Sequence, residues 1–207
     1  MIGALYGGSA AHHRALHEPK YRRLLDDILY LPDAANAGLG ECTTLIVPER
    51  LHRGLLHRTA PAIRTLLDGG GTVVLFGEQP TAWLPGLRWT HRPTNWWWWL
   101  DGGPAPVAVA APDHSLFDRL TLADMTWHIH GVFDPPPGAE VVLTAQDGSA
   151  VLYLDYVSTP GTLIVTSLDP LSHFGSYFMP ATERFLDGFL PWLRGFTSGT
   201  ARVVGKA

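Results

Sequence analysis

The sequence predicts an α/β domain built on an open, mostly parallel sheet with helices on both faces and an added antiparallel hairpin. Three observations lead there. Residues 43–47 and Thr72–Phe76 are short, β-branched and apolar throughout, and a single helical stretch ending in Gly69-Gly70-Gly71 joins them. Continuous apolarity without alternation marks strands buried on both faces, as in parallel sheets covered by helices. A third such run, 162–167, closes the series, and Asp147-Gly148 between two β-rich segments signals a hairpin.

In chain order, Ile2–Tyr6 is a buried first strand, and Gly7-Gly8-Ser9 turns the chain toward a helix, the usual opening of a βαβ unit. His12, His13 and His17 follow in what reads as a solvated, basic loop. Tyr21, Leu24, Leu25, Ile28 and Leu29 share one face at helical spacing, and Pro32 ends that helix. The small-residue connection 33–40 either hides the second strand or contains none. After strand 43–47 comes Pro48-Glu49-Arg50, then helix over 51–68 with Pro61 as a fresh start. The triple glycine stops it, because glycine tolerates left-handed geometry at a helix end. Two parallel strands joined by a right-handed crossover put Glu49 and Glu78 at one sheet edge. That carboxyl edge is where open parallel sheets bind ligands.

Residues 79–103 are irregular and hold six tryptophans, four of them consecutive at Trp96, Trp97, Trp98 and Trp99. Residues 107–110 form a short strand, Asp113-His114-Ser115-Leu116-Phe117 opens a turn or helix, and 126–133 alternates as a strand does. The hairpin pairs 141–144 with 151–156. Strand 162–167 leads into Leu168-Asp169-Pro170-Leu171-Ser172-His173, and a terminal helix over 180–193 turns Phe185, Leu186, Phe189, Leu190 and Leu193 to the core. Residues 1–195 make one domain, and 196–207 a frayed tail.

Composition narrows the function. Apolar residues make up 46% of the chain and charged ones 16%, which favours a domain with partners over a strongly solvated monomer. A net charge of −4 offers no basic patch for a phosphate backbone, so nucleic acid is not an expected partner. No run approaches the roughly 20 apolar residues of a membrane span, and the first residues have neither the basic start nor the apolar stretch of a signal peptide. A lone cysteine, Cys42, rules out an intrachain disulfide and suits a reducing compartment, the cytoplasm.

The strand 43–47, the glycine-stopped helix, Thr72–Phe76, the Asp113–Phe117 segment, the hairpin, and the closing strand with His173 behind it resemble the class I glutamine amidotransferase-like superfamily. The resemblance is nearest to its trehalose-utilisation (ThuA-like) branch and extends over residues 2–193. It implies a flavodoxin-like sheet. In amidotransferases the strand matching Thr72–Phe76 is followed by a sharp G-x-C-x-G elbow whose thiol attacks the glutamine amide. The matching residues are Gly77-Glu78-Gln79-Pro80, with neither cysteine nor serine, and Cys42 lies at the entrance of its strand, at the other end of the sheet. His173 falls near the superfamily's catalytic histidine. The resemblance therefore implies the fold without glutaminase activity.

The remaining candidates follow from chemistry. Glu49, Glu78 and His173 are expected to converge at the carboxyl edge, where carboxylate and imidazole can serve as base and acid for a hydrolase or isomerase on a carbohydrate-like substrate. The competing reading makes them loop scaffolding paired with Arg50, Arg92 or a backbone amide. His128 and His130, two apart on a strand, project to one face. With Asp124 or Asp169 they form a set suited to a transition metal, although hydrogen-bonding roles take precedence and no cofactor is expected. The tryptophans cover the core, or they form a sugar-stacking platform, a lid, or an interface to a protein partner or a second copy of the chain. Asn95, Asp101 and His91 would supply polar groups for a saccharide. The expected ligand site thus comprises Gly77, Asn95, Trp96, Trp97, Trp98, His128, His130 and Asp169, binding a small polar ligand.

Overall fold

The computed structural model describes residues 1–79, 83–94, 96–100 and 102–204, with side chains through residue 199. In chain order the elements are β1 (Ile2–Tyr6), α1 (Ala10–His17), α2 (Pro19–Arg22), β2 (Asp27–Tyr30), α3 (Leu31–Ala37), β3 (Thr44–Val47), α4 (Arg53–Asp68) and β4 (Thr72–Phe76). The chain continues through β5 (Trp89–His91), β6 (Ala108–Val109), two 3-10 turns, β7 (Gly131–Phe133), β8 (Glu140–Thr144), β9 (Ala150–Asp155), β10 (Thr162–Thr166), α5 (Pro170–Gly175) and α6 (Pro180–Val204).

The strands form one sheet in the order β2-β1-β3-β4-β10-β9-β7-β5, with β8 also on β9 and β6 on β8. From β2 to β10 the neighbours run parallel, and β9 returns antiparallel to β10. Five parallel strands with the first reversal of order between β1 and β3 are the flavodoxin-like arrangement. The hairpin at Asp147-Gly148 joins β8 to β9 as the dipeptide indicates, with Gly148 at φ 83°.

Alternation along each central strand divides the core in two. Ile2, Ala4, Ile46, Val74, Phe76 and Ile164 pack on the side covered by α1 and α6. Leu5, Leu45, Val47, Val73, Leu75 and Val165 pack on the side covered by α3 and α4. Phe76 meets Phe185 and Phe189 of α6 edge-on, which fixes the end of β4 beneath that helix.

Several local expectations are corrected. Ile28 and Leu29 lie in β2 and not in a helix, because Asp26 ties to Ile2 through both its amide and its carboxylate and feeds the next residues alongside β1. Pro32 then begins α3 instead of ending a helix, its missing N–H harmless in a first turn. Pro61 lies within a continuous α4, whose buried Leu56, Thr59, Ile63 and Leu67 outweigh the local penalty of about 3 kcal/mol. Of residues 126–133 only the last three pair as a strand, because Trp127 is drawn away to a buried hydrogen bond with Asp169. The terminal helix continues past residue 193 to Val204. Phe196 stacks on Trp192, and Thr197 and Ser198 donate to the carbonyls of Leu193 and Arg194.

Candidate functional site

All parallel strands end at one edge, and glycine lets three of those ends converge. Gly77, directly after β4, has φ 67°, a left-handed conformation in which a side chain is strained. A Cβ there would come within 2.6 Å of Glu49 Cβ and 2.9 Å of Asp169 Cβ. Its amide donates to the carbonyls of Thr166 and Leu168, which clips the β4 exit to the β10 exit. That N–H is therefore committed to the fold and does not face a ligand.

Beneath this junction lies a buried tier. Glu49, 0% exposed, accepts a 2.7 Å hydrogen bond from the Ser172 amide and lies 3.5 Å from His12 Nε2. The same His12 nitrogen lies 3.2 Å from Ser172 Oγ. Burial alone would raise the Glu49 pKa, but His12 and Ser172 more than offset it and hold the carboxyl below the ordinary carboxylate range. Helices α1 and α5 pack so tightly that a side chain at Gly175 would run into the Ala11 carbonyl. Glu49 thus fastens α5 to β3 through Ser172 and pairs with His12. His12, read from sequence as solvated, is the buried member of this tier. Its signal was available: Ser9 accepts from the His12 amide as a helix N-cap, and His12, Ala15 and Leu16 then share the inward face.

Above it lies a second tier centred on Asp169, also fully buried. Its Oδ1 accepts from Trp127 Nε1 at 3.1 Å. Its Oδ2 lies 3.2 Å from His173 Nδ1, 3.6 Å from Arg50 Nη2 and 3.9 Å from His130 Nε2. His173 Nε2 and His128 Nε2 are 3.0 Å apart, so one donates a proton to the other. Glu78 lies 3.5 Å from Arg50 and 3.7 Å from His130 Nδ1, and Thr94 Oγ1 is 3.0 Å from that same nitrogen. Arg50 reaches both carboxylates from a left-handed backbone, φ 56°, a conformation that costs a non-glycine residue about 1–3 kcal/mol and is concentrated at functional sites. Burial, followed by His173, His130 and Arg50, lowers the His128 pKa to about 3, so it is neutral near pH 7. Burial also lowers that of His130, against the pull of Asp169 and Glu78.

The expected Glu78–His173 pair is replaced by Asp169–His173, with Glu78 held by Arg50 and His130. His128 and His130 do share a face, their rings 5.0 Å apart. Among the described residues, however, no group of three or more His, Cys, Asp or Glu side chains is arranged to hold a metal ion. Trp96 lies over His128 at 4.1 Å and His130 at 5.3 Å between ring centroids. Trp97, Trp98 and Trp99 do not continue as a strand. They form a turn closed by Leu100 N to Trp97 O, in which Trp99 meets the other two edge-on. Asn95 and Asp101 lie outside the described residues, and His91 sits in β5 against Trp89. Arg50 pairs with Glu78, as the scaffolding reading had it, and also reaches Asp169; sequence reasoning missed Trp127 as the anchor of Asp169, and Phe178, whose ring lies 5.7 Å from His173 and 6.4 Å from His128.

A cleft of about 810 Å³ lies elsewhere, at the amino edge, lined by Leu39, Cys42, Thr43, Leu66, Gly70 and Thr72 among others. Among the described residues no carboxylate or imidazole lines it, so volume and chemistry mark different ends of the sheet, and the reactive groups mark the carboxyl edge.

No protein-family model matches the sequence, and no curated protein does. The fold has solved counterparts. A glutamine amidotransferase from Thermotoga maritima aligns with a TM-score of 0.58 at 11% identity over 96% of each chain. A ThuA-like protein from Bacteroides uniformis aligns with a TM-score of 0.52 at 14% identity, over 91% of this chain and 88% of that one. A β-galactosidase from Rahnella sp. R3 aligns with a TM-score of 0.56 at 13% identity, over 94% of this chain but 31% of that enzyme. The chain therefore has the flavodoxin-like α/β fold shared by glutamine amidotransferase-like and ThuA-like proteins.

Proposed function

We propose that this chain binds a small polar, carbohydrate-like ligand at the carboxyl edge of its sheet and has no glutaminase activity. One observation carries the reading. Among the described residues, buried His130 Nε2 and His128 Nδ1 have no hydrogen-bond partner, and buried Asp169 Oδ2 and His173 Nδ1, 3.2 Å apart, form no regular hydrogen bond. Each such atom costs about 1–3 kcal/mol, and several in one place are matched best by a ligand that supplies the missing bonds. Hydroxyl groups both donate and accept, which suits a carboxylate, imidazoles and a guanidinium together. Glutaminase chemistry would need a thiol at the elbow. The elbow holds Gly77-Glu78-Gln79, while Cys42 is buried beside Gly3 at the opposite edge. The likeness to a β-galactosidase supports a sugar over other polar ligands, and a single buried thiol supports a reducing cytoplasmic setting.

Titration calorimetry with monosaccharides, backed by tryptophan fluorescence because Trp96 and Trp127 border the site, tests this. Binding is expected in the wild type and at least tenfold weaker in Asp169→Asn, which keeps the shape but removes the charge. Equal binding by the variant, or none by the wild type, sinks the proposal. A second reading is favoured by the Asp169–His173 geometry, a buried carboxylate against an imidazole as in acid–base enzymes. In that case a nitrophenyl glycoside is turned over, and His173→Gln lowers kcat by about 10²–10⁴-fold, far more than it raises KM.

A further inference from the structure

Phe178 is held in an unusual way. The residues on either side of it, Tyr177 at φ 58° and Met179 at φ 64°, are both left-handed and neither is glycine. They cap α5: Tyr177 N donates to Phe174 O and Phe178 N to His173 O, the closure that normally places glycine at the left-handed position. The strain is held from both sides. The Arg14 guanidinium stacks on Tyr177 and donates to the Phe174 carbonyl, while Thr182 donates to the Met179 carbonyl through both its amide and its hydroxyl. The loop is thus fixed and not a loose flap, and what it presents is the Phe178 ring, 52% exposed, beside His173 and His128. Trp96, 44% exposed, covers the same His128. Two half-exposed aromatic rings therefore border one imidazole pair at the mouth of the Asp169 cluster.

We infer that Trp96 and Phe178 form an aromatic clamp that selects pyranose rings over open-chain polyols. This rests on the ligand-binding reading above and names its substrate class. A pyranose carries an apolar face of axial C–H groups that stacks on an aromatic ring, while its equatorial hydroxyls point edgewise toward partners such as Asp169, His130 and His173. An alditol has the hydroxyls but no rigid apolar face. Strained residues fixing Phe178 pre-organise that face, so the ring need not be ordered on binding.

Calorimetry with methyl β-D-galactopyranoside, methyl β-D-glucopyranoside and methyl β-D-mannopyranoside, each against its alditol, tests the clamp. The wild type should bind at least one glycoside about tenfold more tightly than the matching alditol. Phe178→Ala, Phe178→Leu and Trp96→Ala should each erase that preference by weakening the glycoside alone, with unchanged circular dichroism, and Phe178→Tyr should retain it. Asp169→Asn should weaken glycoside and alditol alike. If both probe classes bind equally and the Phe178 variants change neither, or if only the Trp96 variant acts, the clamp is overturned and the pocket stands. If nothing binds to the wild type, both fall.

Discussion

His128 shows what burial does to a group that ordinarily titrates near neutrality. Its pKa lies at about 3 in the folded chain, against about 6.5 when solvated. The unfolded chain therefore takes up the proton first as pH falls, so stability is full above about pH 6.5 and declines from there toward pH 3. His130 and His114, both lowered chiefly by burial, act on the same limb. Glu49, whose folded pKa is depressed, adds a second loss below the ordinary carboxylate range. Thermal unfolding at pH 7.5, 6.0 and 5.0 should show a falling Tm in the wild type and a shallower fall in His128→Gln. A wild-type Tm that is flat over this interval contradicts the buried, neutral state. At this scale the sequence offered candidates for the site but not how they pair. His128, His130, Asp169 and His173 stand out as polar residues at the ends of apolar runs. That Asp169 and not Glu78 meets His173 depends on a four-residue step along α5, together with Trp127 and Arg50 arriving from distant segments.

Among the elements, α5 is short and is held to the sheet by Glu49 as much as by its own packing. Glu49→Ala would leave the Ser172 amide unpaired in the interior and His12 with Ser172 Oγ alone, a loss of about 3–5 kcal/mol for a broken buried pair. Glu49→Gln keeps an acceptor for the amide and should cost less than half as much. Urea unfolding of the two variants separates these outcomes, and equal losses would show that the charge and not the hydrogen bond carries the tie. The central strands were legible because burial on both faces imposes continuous apolarity, as in β3, β4 and β10. β2 was not, for the converse reason. It is a four-residue edge strand with no buried residue, too short to tell a period of 2 from one of 3.6, and its neighbouring leucines complete a false helical face. The left-handed cap at Tyr177 was hidden for another reason, since its residue type gives no sign of it.

Over the whole molecule, six of the eleven large apolar residues exposed among the described residues lie in the two segments that carry Trp96 and Phe178. Trp96, Trp97, Trp99, Leu100, Tyr177 and Phe178 are all exposed, on a chain of which only 16% is charged. Exposed apolar side chains grouped along the chain in this way mark contact surfaces. Within the tryptophan turn the roles divide by direction. Trp96 lies over His128, whereas Trp97, at 59%, and Leu100, at 70%, are the most exposed residues of the turn. Trp98 is less exposed than either and belongs to the turn's own packing. Self-association through the outward residues and ligand capture beneath Trp96 should therefore come apart on mutation. Sedimentation velocity over a concentration series is expected to show a reversible oligomer that Trp97→Ala shifts toward monomer by about tenfold in Kd, within the usual effect of removing a tryptophan hot spot. The same variant should leave saccharide affinity unchanged, and Trp96→Ala should do the reverse. A wild type that stays monomeric at every concentration removes the self-association half of this division. A Trp97→Ala variant that loses oligomer and ligand together would mean instead that the binding site is completed at the contact between two copies.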